Sequence, residues 1–193
     1  MSDRGDRGAR LLNASTSLRI LLVPAVMALV LAGGEDTSGA YPAAAALFFV
    51  AAVTDFFDGY LARRWGATST LGSFLDTTAD KLLVSCALVA LVAVDRVSPW
   101  ITAVIVGREL VILGLRGVVA AEGLVMPPSP WGKIKTTVQF VAILLVILRP
   151  GDHLGSMFLD EWVMLAAALV TVVSGVEYLT RFASLLGSPT TSR

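Results

Sequence analysis

This sequence has little of what a soluble or secreted domain is built from. A single cysteine, Cys86, stands in an apolar run, which excludes a disulfide framework and reads as a small buried hydrophobe. A single histidine, His153, falls in a short connecting segment and reads as a surface residue. Charged residues make up 16% of the chain, against about 25% in a typical soluble domain. The 15 basic and 15 acidic residues cancel, so no global field recruits nucleic acid. No internal repeat or low-complexity tract is evident, and no polar break is long enough to hold a soluble domain.

What is present is apolar length: 55% of the 193 residues are hydrophobic. Runs suited to crossing a bilayer, which takes roughly 20 residues each, occupy about Ser17–Leu31, Pro42–Arg63, Leu71–Val94, Pro99–Ala120, Lys133–Leu148 and Leu159–Leu185. The expectation is an all-α integral membrane protein with six transmembrane helices, a single domain over 1–193 with tails at 1–12 and 187–193. Arg4, Arg7, Arg10, Arg63, Arg64, Lys133, Lys135, Arg181 and Arg193 fall on one side of this arrangement, and only Arg96 and Arg149 on the other. Basic residues collect on the cytoplasmic side, so both termini are expected there, in a multi-pass protein of the cell membrane.

Against this background the stretch Asp55–Asp80, DFFDGYLARRWGATSTLGSFLDTTAD, stands out. Asp55 and Asp58 are three apart and Asp76 and Asp80 four apart, so each pair shares a helical face. The short break between the two runs makes them antiparallel neighbours and lets the four carboxylates converge. Two unit charges at 4 Å repel by about 4 kcal/mol at an effective dielectric of 20, so protons or cations must neutralise some of them. Oxygen-only ligands suit hard divalent ions rather than zinc, and four carboxylates could hold two of them. Gly59 and Gly72 allow close approach of a ligand to the backbone, and Arg63 could meet phosphate oxygens. A proton or ion pathway, or structural pairing with Lys81 and Arg63, is the alternative use of such acids.

The full spacing is D-x2-D-G-x2-A-R-x8-G-x3-D-x3-D, placing Asp55, Asp58, Gly59, Ala62, Arg63, Gly72, Asp76 and Asp80. This pattern resembles the signature of the CDP-alcohol phosphatidyltransferases at all eight positions. The resemblance implies a six-helix membrane enzyme, usually a homodimer among membrane lipids, that uses two divalent cations, Mg²⁺ or Mn²⁺. It implies transfer of a phosphatidyl or related group from a CDP-linked donor to an alcohol, with release of CMP. Asp55, Asp58, Asp76 and Asp80 would then ligate metal, and Asp80 would also act as general base. Gly59, Arg63 and Ser69 would contact the CDP part of CDP-diacylglycerol.

Further residues bear on the acceptor. NASTSLRI, Asn13–Ile20, resembles the N-x2-T-x2-R start of the phosphatidylglycerophosphate synthases within that family, which adds Asn13 and Thr16 to the nucleotide contacts. Either could instead cap the first helix. GRELVILGLR carries Arg108, Glu109 and Arg116 in an apolar run, and WGKIKTTVQ carries Lys133, Lys135 and Gln139. Arg and Lys beside a metal site suit an anionic acceptor, so Arg108, Arg116, Lys133 and Lys135 are candidate contacts to glycerol 3-phosphate. A structural Arg108–Glu109 pair and ordinary membrane anchoring by the lysines are the plainer readings. An inositol phosphate or a phosphatidylglycerol acceptor would fit the same family, whereas a small cation transporter would need no nucleotide. Glu177 suggests no role.

Overall fold

The structure is a computed structural model that describes residues 2–35, 39–65, 70–123, 130–151, 153–154 and 157–187, with side chains at 16–35, 39–54, 75, 77–123, 131–151 and 158–184. Among the described residues six helices follow one another: α1 (Ser2–Gly34), α2 (Ala40–Trp65), α3 (Thr70–Ala93), α4 (Pro99–Ala121), α5 (Pro130–Leu148) and α6 (Leu159–Gly187). The departure from an all-helical chain is a small antiparallel hairpin before α6, in which β1 (His153–Leu154) pairs with β2 (Met157–Phe158). α1 begins at Ser2, so residues 2–12, set apart in the sequence as a tail, are helical, while 188–193 lie outside the described residues.

Local chemistry sets the helix ends. Ser98 is extended and Pro99 opens α4, a position where proline lacks only a donor that would be orphaned anyway. The same helix stops at Gly123, whose φ of 71° favours glycine and whose N–H donates to the Ala120 carbonyl at 3.1 Å. Asp95, at φ 55°, ends α3, and the next N–H, that of Arg96, returns to the Leu91 carbonyl at 2.9 Å. Pro150 prevents α5 from continuing. At the start of α6 the Phe158 N–H donates to Glu161 Oε2 at 3.0 Å, which caps an otherwise orphaned donor.

The bundle is wrapped in apolar surface. Stretches of α1 (Thr16–Gly34), α5 (Trp131–Leu148) and α6 (Leu159–Ser184) are long and apolar enough to cross a membrane, yet only 28%, 33% and 33% of their residues are buried. Large apolar side chains such as Leu21, Phe49, Leu110 and Leu169 face outward, the arrangement expected where the surrounding solvent is hydrocarbon. α2 contributes a shorter apolar stretch, Ala40–Thr54. α4 is interrupted by Arg108, Glu109 and Arg116. Trp100, Trp131 and Trp162 are exposed at the first turns of α4, α5 and α6, where amphipathic rings suit a membrane–water boundary.

Inside, α1 packs on α2 and α3, α6 on α4 and α5, and α2 on α5, which joins the two groups. One continuous core results, built from small and branched residues such as Val26, Val30, Ala44, Leu88, Ile143 and Ile147 around Phe48. A lesser cluster of Ile112, Val119 and Tyr178 joins α4 to α6.

One end of the bundle is stitched by Arg96. Its Nη1 donates to the carbonyls of Val146 and Ile147 at 3.1 and 2.9 Å, among the last carbonyls of α5, which lack helical partners. Its guanidinium lies 3.5 Å from the centroid of the Tyr41 ring. That ring leaves no room at Gly33, where an added Cβ would stand 2.8 Å from it. The end of α1, the start of α2, the α3–α4 connection and the end of α5 therefore meet at one pole, with the start of α6 beside them. The start of α1 and the end of α6 point to the other. Arg96→Ala is expected to lower stability by about 2–4 kcal/mol in detergent thermal unfolding. Turnover per folded molecule should be unchanged, because Asp80, Arg108, Glu109 and Lys135 lie away from this pole.

Candidate active site

The four aspartates lie on the two helices that meet across the short 66–69 connection, Asp55 and Asp58 in the last turns of α2 and Asp76 and Asp80 in the first turns of α3. These helices contact one another. The side chains of Asp55, Asp58, Gly59, Arg63 and Asp76, like that of Asn13 and all of Ser69, lie outside what the structure describes. Among the described residues no group of three or more metal-ligating side chains gathers. The donor set is nonetheless all oxygen: Cys86 packs against the core farther along α3, and His153 lies in the hairpin at the Arg96 pole. That chemistry fits a hard divalent cation.

Asp80 is half-buried and lines a small pocket with Lys81, Glu109, Lys135, Thr136 and Gln139. Three helices supply these groups: α3, α4 and α5. At its centre is the Glu109 carboxylate, which is 4% exposed. Lys81 Nζ donates to its Oε2 at 2.6 Å, and Lys135 Nζ donates to its Oε1. Arg108 Nη1 also donates to Oε1, at 3.3 Å, and Arg108 Nη2 donates to Ser174 Oγ of α6 at 2.8 Å. Gly175 makes room for this reach, since an added Cβ there would stand 3.2 Å from Arg108 Cγ. With three cations on one carboxylate, the formal charge of the group is 3 − 1 = +2.

A second buried polar contact lies one turn deeper. Gln139 Nε2 donates to Thr171 Oγ1 at 2.8 Å, and that hydroxyl donates to the Ala167 carbonyl at 2.6 Å. On α1, Thr16 and Arg19 are both buried, and the Arg19 guanidinium is within electrostatic reach of Asp80. Thr16 lies fourteen residues into α1, so neither it nor Asn13 caps that helix.

The candidate acceptor residues separate into two groups. Arg108 and Lys135 meet on Glu109, whereas Arg116 and Lys133 are exposed and outside this cluster. Arg108 and Glu109 do form an ion pair, but as one arm of a four-residue group. Sequence reading missed the centrality of Glu109 and the part of Lys81. The available signal was Lys81 itself: an ammonium in an apolar helix requires a partner, and the positions one turn away along α3 are Thr77, Thr78, Val84 and Ser85, none of them an acid.

The family model for CDP-alcohol phosphatidyltransferase matches residues 10–173, a stretch that contains every candidate site residue, while Ser174 and Gly175, which receive Arg108, lie just beyond it. This chain belongs to the CDP-alcohol phosphatidyltransferase family. It is 40% identical over 182 residues to the Bacillus subtilis CDP-diacylglycerol–glycerol-3-phosphate 3-phosphatidyltransferase, covering 88% of this chain and 93% of that one. A Mycobacterium tuberculosis protein named "Probable phosphatidylglycerophosphate synthase" is 40% identical over 178 residues, covering 91% and 82%. The Rickettsia felis CDP-diacylglycerol–glycerol-3-phosphate 3-phosphatidyltransferase is 34% identical over 169 residues, covering 86% and 91%. The chain is thus a membrane-embedded transferase of this family, with a pocket that joins an aspartate to a surplus of positive charge.

The Gln139–Thr171 contact gives a test of how the helices around this pocket are held. Thr171→Val alone should cost about 1–3 kcal/mol, because it leaves the Gln139 amide buried without its acceptor. Gln139→Leu combined with Thr171→Val should recover most of that loss, as seen in a double-mutant cycle of thermal unfolding.

Proposed function

We propose that this protein transfers the phosphatidyl group from CDP-diacylglycerol to glycerol 3-phosphate, releasing CMP and forming phosphatidylglycerophosphate. The observation that carries the reading is the buried cationic cluster beside Asp80, with Lys81, Arg108 and Lys135 gathered on one carboxylate. A neutral alcohol acceptor gives no reason to bury such a surplus, whereas a phosphorylated one does. The names of the Bacillus subtilis and Rickettsia felis relatives support glycerol 3-phosphate among phosphorylated alcohols.

In this reading Asp80 removes the proton of an acceptor hydroxyl as its oxygen bonds to the β-phosphorus of CDP-diacylglycerol. The bond from that phosphorus to the CMP oxygen breaks, and CMP leaves. Two divalent cations, Mg²⁺ or Mn²⁺, held by Asp55, Asp58, Asp76 and Asp80, would supply charge neutralisation for the pyrophosphate and the departing CMP. Asn13, Thr16, Gly59, Arg63 and Ser69 would contact the donor. Lys135 and Arg108 would belong to the acceptor pocket, with Arg116 and Lys133 nearer its approaches.

All six helices cross the cell membrane in this proposal, with both termini and the mouth of the site on the cytoplasmic side. Support comes from the basic residues near the start of α1, the α2–α3 connection and the start of α5. A homodimer is part of the same reading.

With CDP-diacylglycerol and Mg²⁺, purified protein is expected to release CMP when given glycerol 3-phosphate, and not with inositol phosphate, with phosphatidylglycerol or without an acceptor. Release with another acceptor alone would replace the proposed substrate. Asp80→Asn should slow release by roughly 10²–10⁴-fold. Chelation by EDTA should abolish release, and added Mg²⁺ or Mn²⁺ should restore it.

A further inference from the structure

Glu109 is not needed by the transfer chemistry: it is neither on the aspartate helices nor a cation, and a carboxylate weakens the pull of its pocket on an anionic acceptor. We propose that Glu109 is a positioning residue that holds the ammonium groups of Lys81 and Lys135 as a two-point clamp for the phosphate of the acceptor. The proposal rests on the acceptor reading given above and deepens it.

The number of partners argues first. A structural ion pair needs one cation, and here one buried carboxylate takes three, two of them from other helices. Burying net positive charge is costly unless an anion completes the group, so this arrangement suits a guest that brings negative charge.

The division of contacts argues next. Lys81 and Lys135 approach opposite carboxylate oxygens, Oε2 and Oε1, so their ammonium groups flank Glu109 from α3 and α5. An ammonium carries three donors, and the contact with Glu109 takes one from each. Arg108 is differently engaged. One of its terminal nitrogens meets Glu109 and the other meets Ser174 of α6, so within the pocket it also secures Glu109 to the bundle. Lys81 and Lys135 line the pocket that also holds Asp80, Thr136 and Gln139. The clamp and the proposed base therefore line one pocket.

Positioning and plain electrostatics predict opposite signs. If Glu109 acted only as a negative charge near the acceptor, its loss would make the pocket more positive and lower the acceptor KM. If it positions the lysines, its loss lets two long flexible side chains disperse, and the acceptor KM rises. A stability role alone would lower the melting temperature and leave both KM values of the folded fraction unchanged.

The test measures CMP release by the full-length protein, with glycerol 3-phosphate and CDP-diacylglycerol varied in turn. Glu109→Gln is expected to raise the acceptor KM about tenfold or more, with the donor KM within about twofold of wild type. Glu109→Asp keeps the charge with a shorter reach, so an acceptor KM between those two values is expected. Should Glu109→Gln fail to fold, Glu109→Asp carries the same readout. An acceptor KM that falls or stays level in the variants that fold overturns the positioning role. Lys135→Met, run alongside, separates the two layers of the argument. If it raises the acceptor KM while the Glu109 variants do not, only the role of Glu109 is lost. If it leaves the acceptor KM unchanged, the acceptor pocket itself is misplaced and the proposal falls with it.

Discussion

A single buried carboxylate ties this bundle together where its chemistry lies. Glu109 is reached by Lys81 from α3 and by Lys135 from α5, while Arg108 carries the link on to Ser174 of α6. Removing one member of such a group leaves uncompensated buried charge, at about 3–5 kcal/mol. The four helices are therefore held in mutual register by a polar contact and not by apolar packing alone. In a membrane this matters more than in water, because lipid is as apolar as a leucine side chain and offers helices little reason to choose one orientation over another. The core of small and branched residues fills space, and the ion group decides which faces meet.

The two poles of the bundle divide the work. At one, Arg96 binds the final carbonyls of α5 and lies over Tyr41, and Arg149 stands 3.6 Å from both the buried Asp160 and Glu161. These are contacts between connections and helix ends, and they hold the frame. Toward the other pole the polar groups no longer satisfy backbone ends but face one another across helices, as Asp80, Lys81, Glu109 and Lys135 do. A rigid frame at one end leaves the other able to admit a lipid-linked nucleotide and a water-soluble acceptor.

Much of this could be read before any coordinates. Runs of apolar residues broken by Gly, Pro and charge mark six helices, and the expected Pro99–Ala120 differs from α4 by one residue at its end. The aspartate pattern was legible because it is local: spacing along two consecutive helices defines it. Glu109 was not, because helical periodicity reveals which residues share a face and says nothing of which neighbour that face meets. Arg108, adjacent in sequence, looked like its natural partner, yet the cations most closely bound to it come from 28 residues before and 26 after. The same limit hid Ser174 and Gly175, whose small size acquires meaning only once Arg108 of α4 is laid across them. The extension of α1 back to Ser2 was missed for a different reason, since a charged, glycine-bearing segment carries no apolar stripe to announce a helix.

The adjacency of Asp80 and Lys81 follows from what the proposed reaction requires. The pyrophosphate donor needs a place of gathered acids and cations, and the phosphorylated acceptor needs a place of gathered bases. The two places meet at Asp80, which shares a pocket with Lys81 and Lys135, so the lysines need another anion if they are not to pair with it. Were they far apart, the hydroxyl could not reach the phosphorus. Consecutive residues of an α-helix point about 100° apart while their Cα atoms stay 3.8 Å from one another. Asp80 therefore shares the face of Asp76, and Lys81 turns toward α4, where Glu109 takes its ammonium at 2.6 Å. One peptide unit of α3 separates the acid from the ammonium within the one pocket. In the proposed reading Glu109 keeps Lys81 from turning to Asp80, its neighbour in the same pocket.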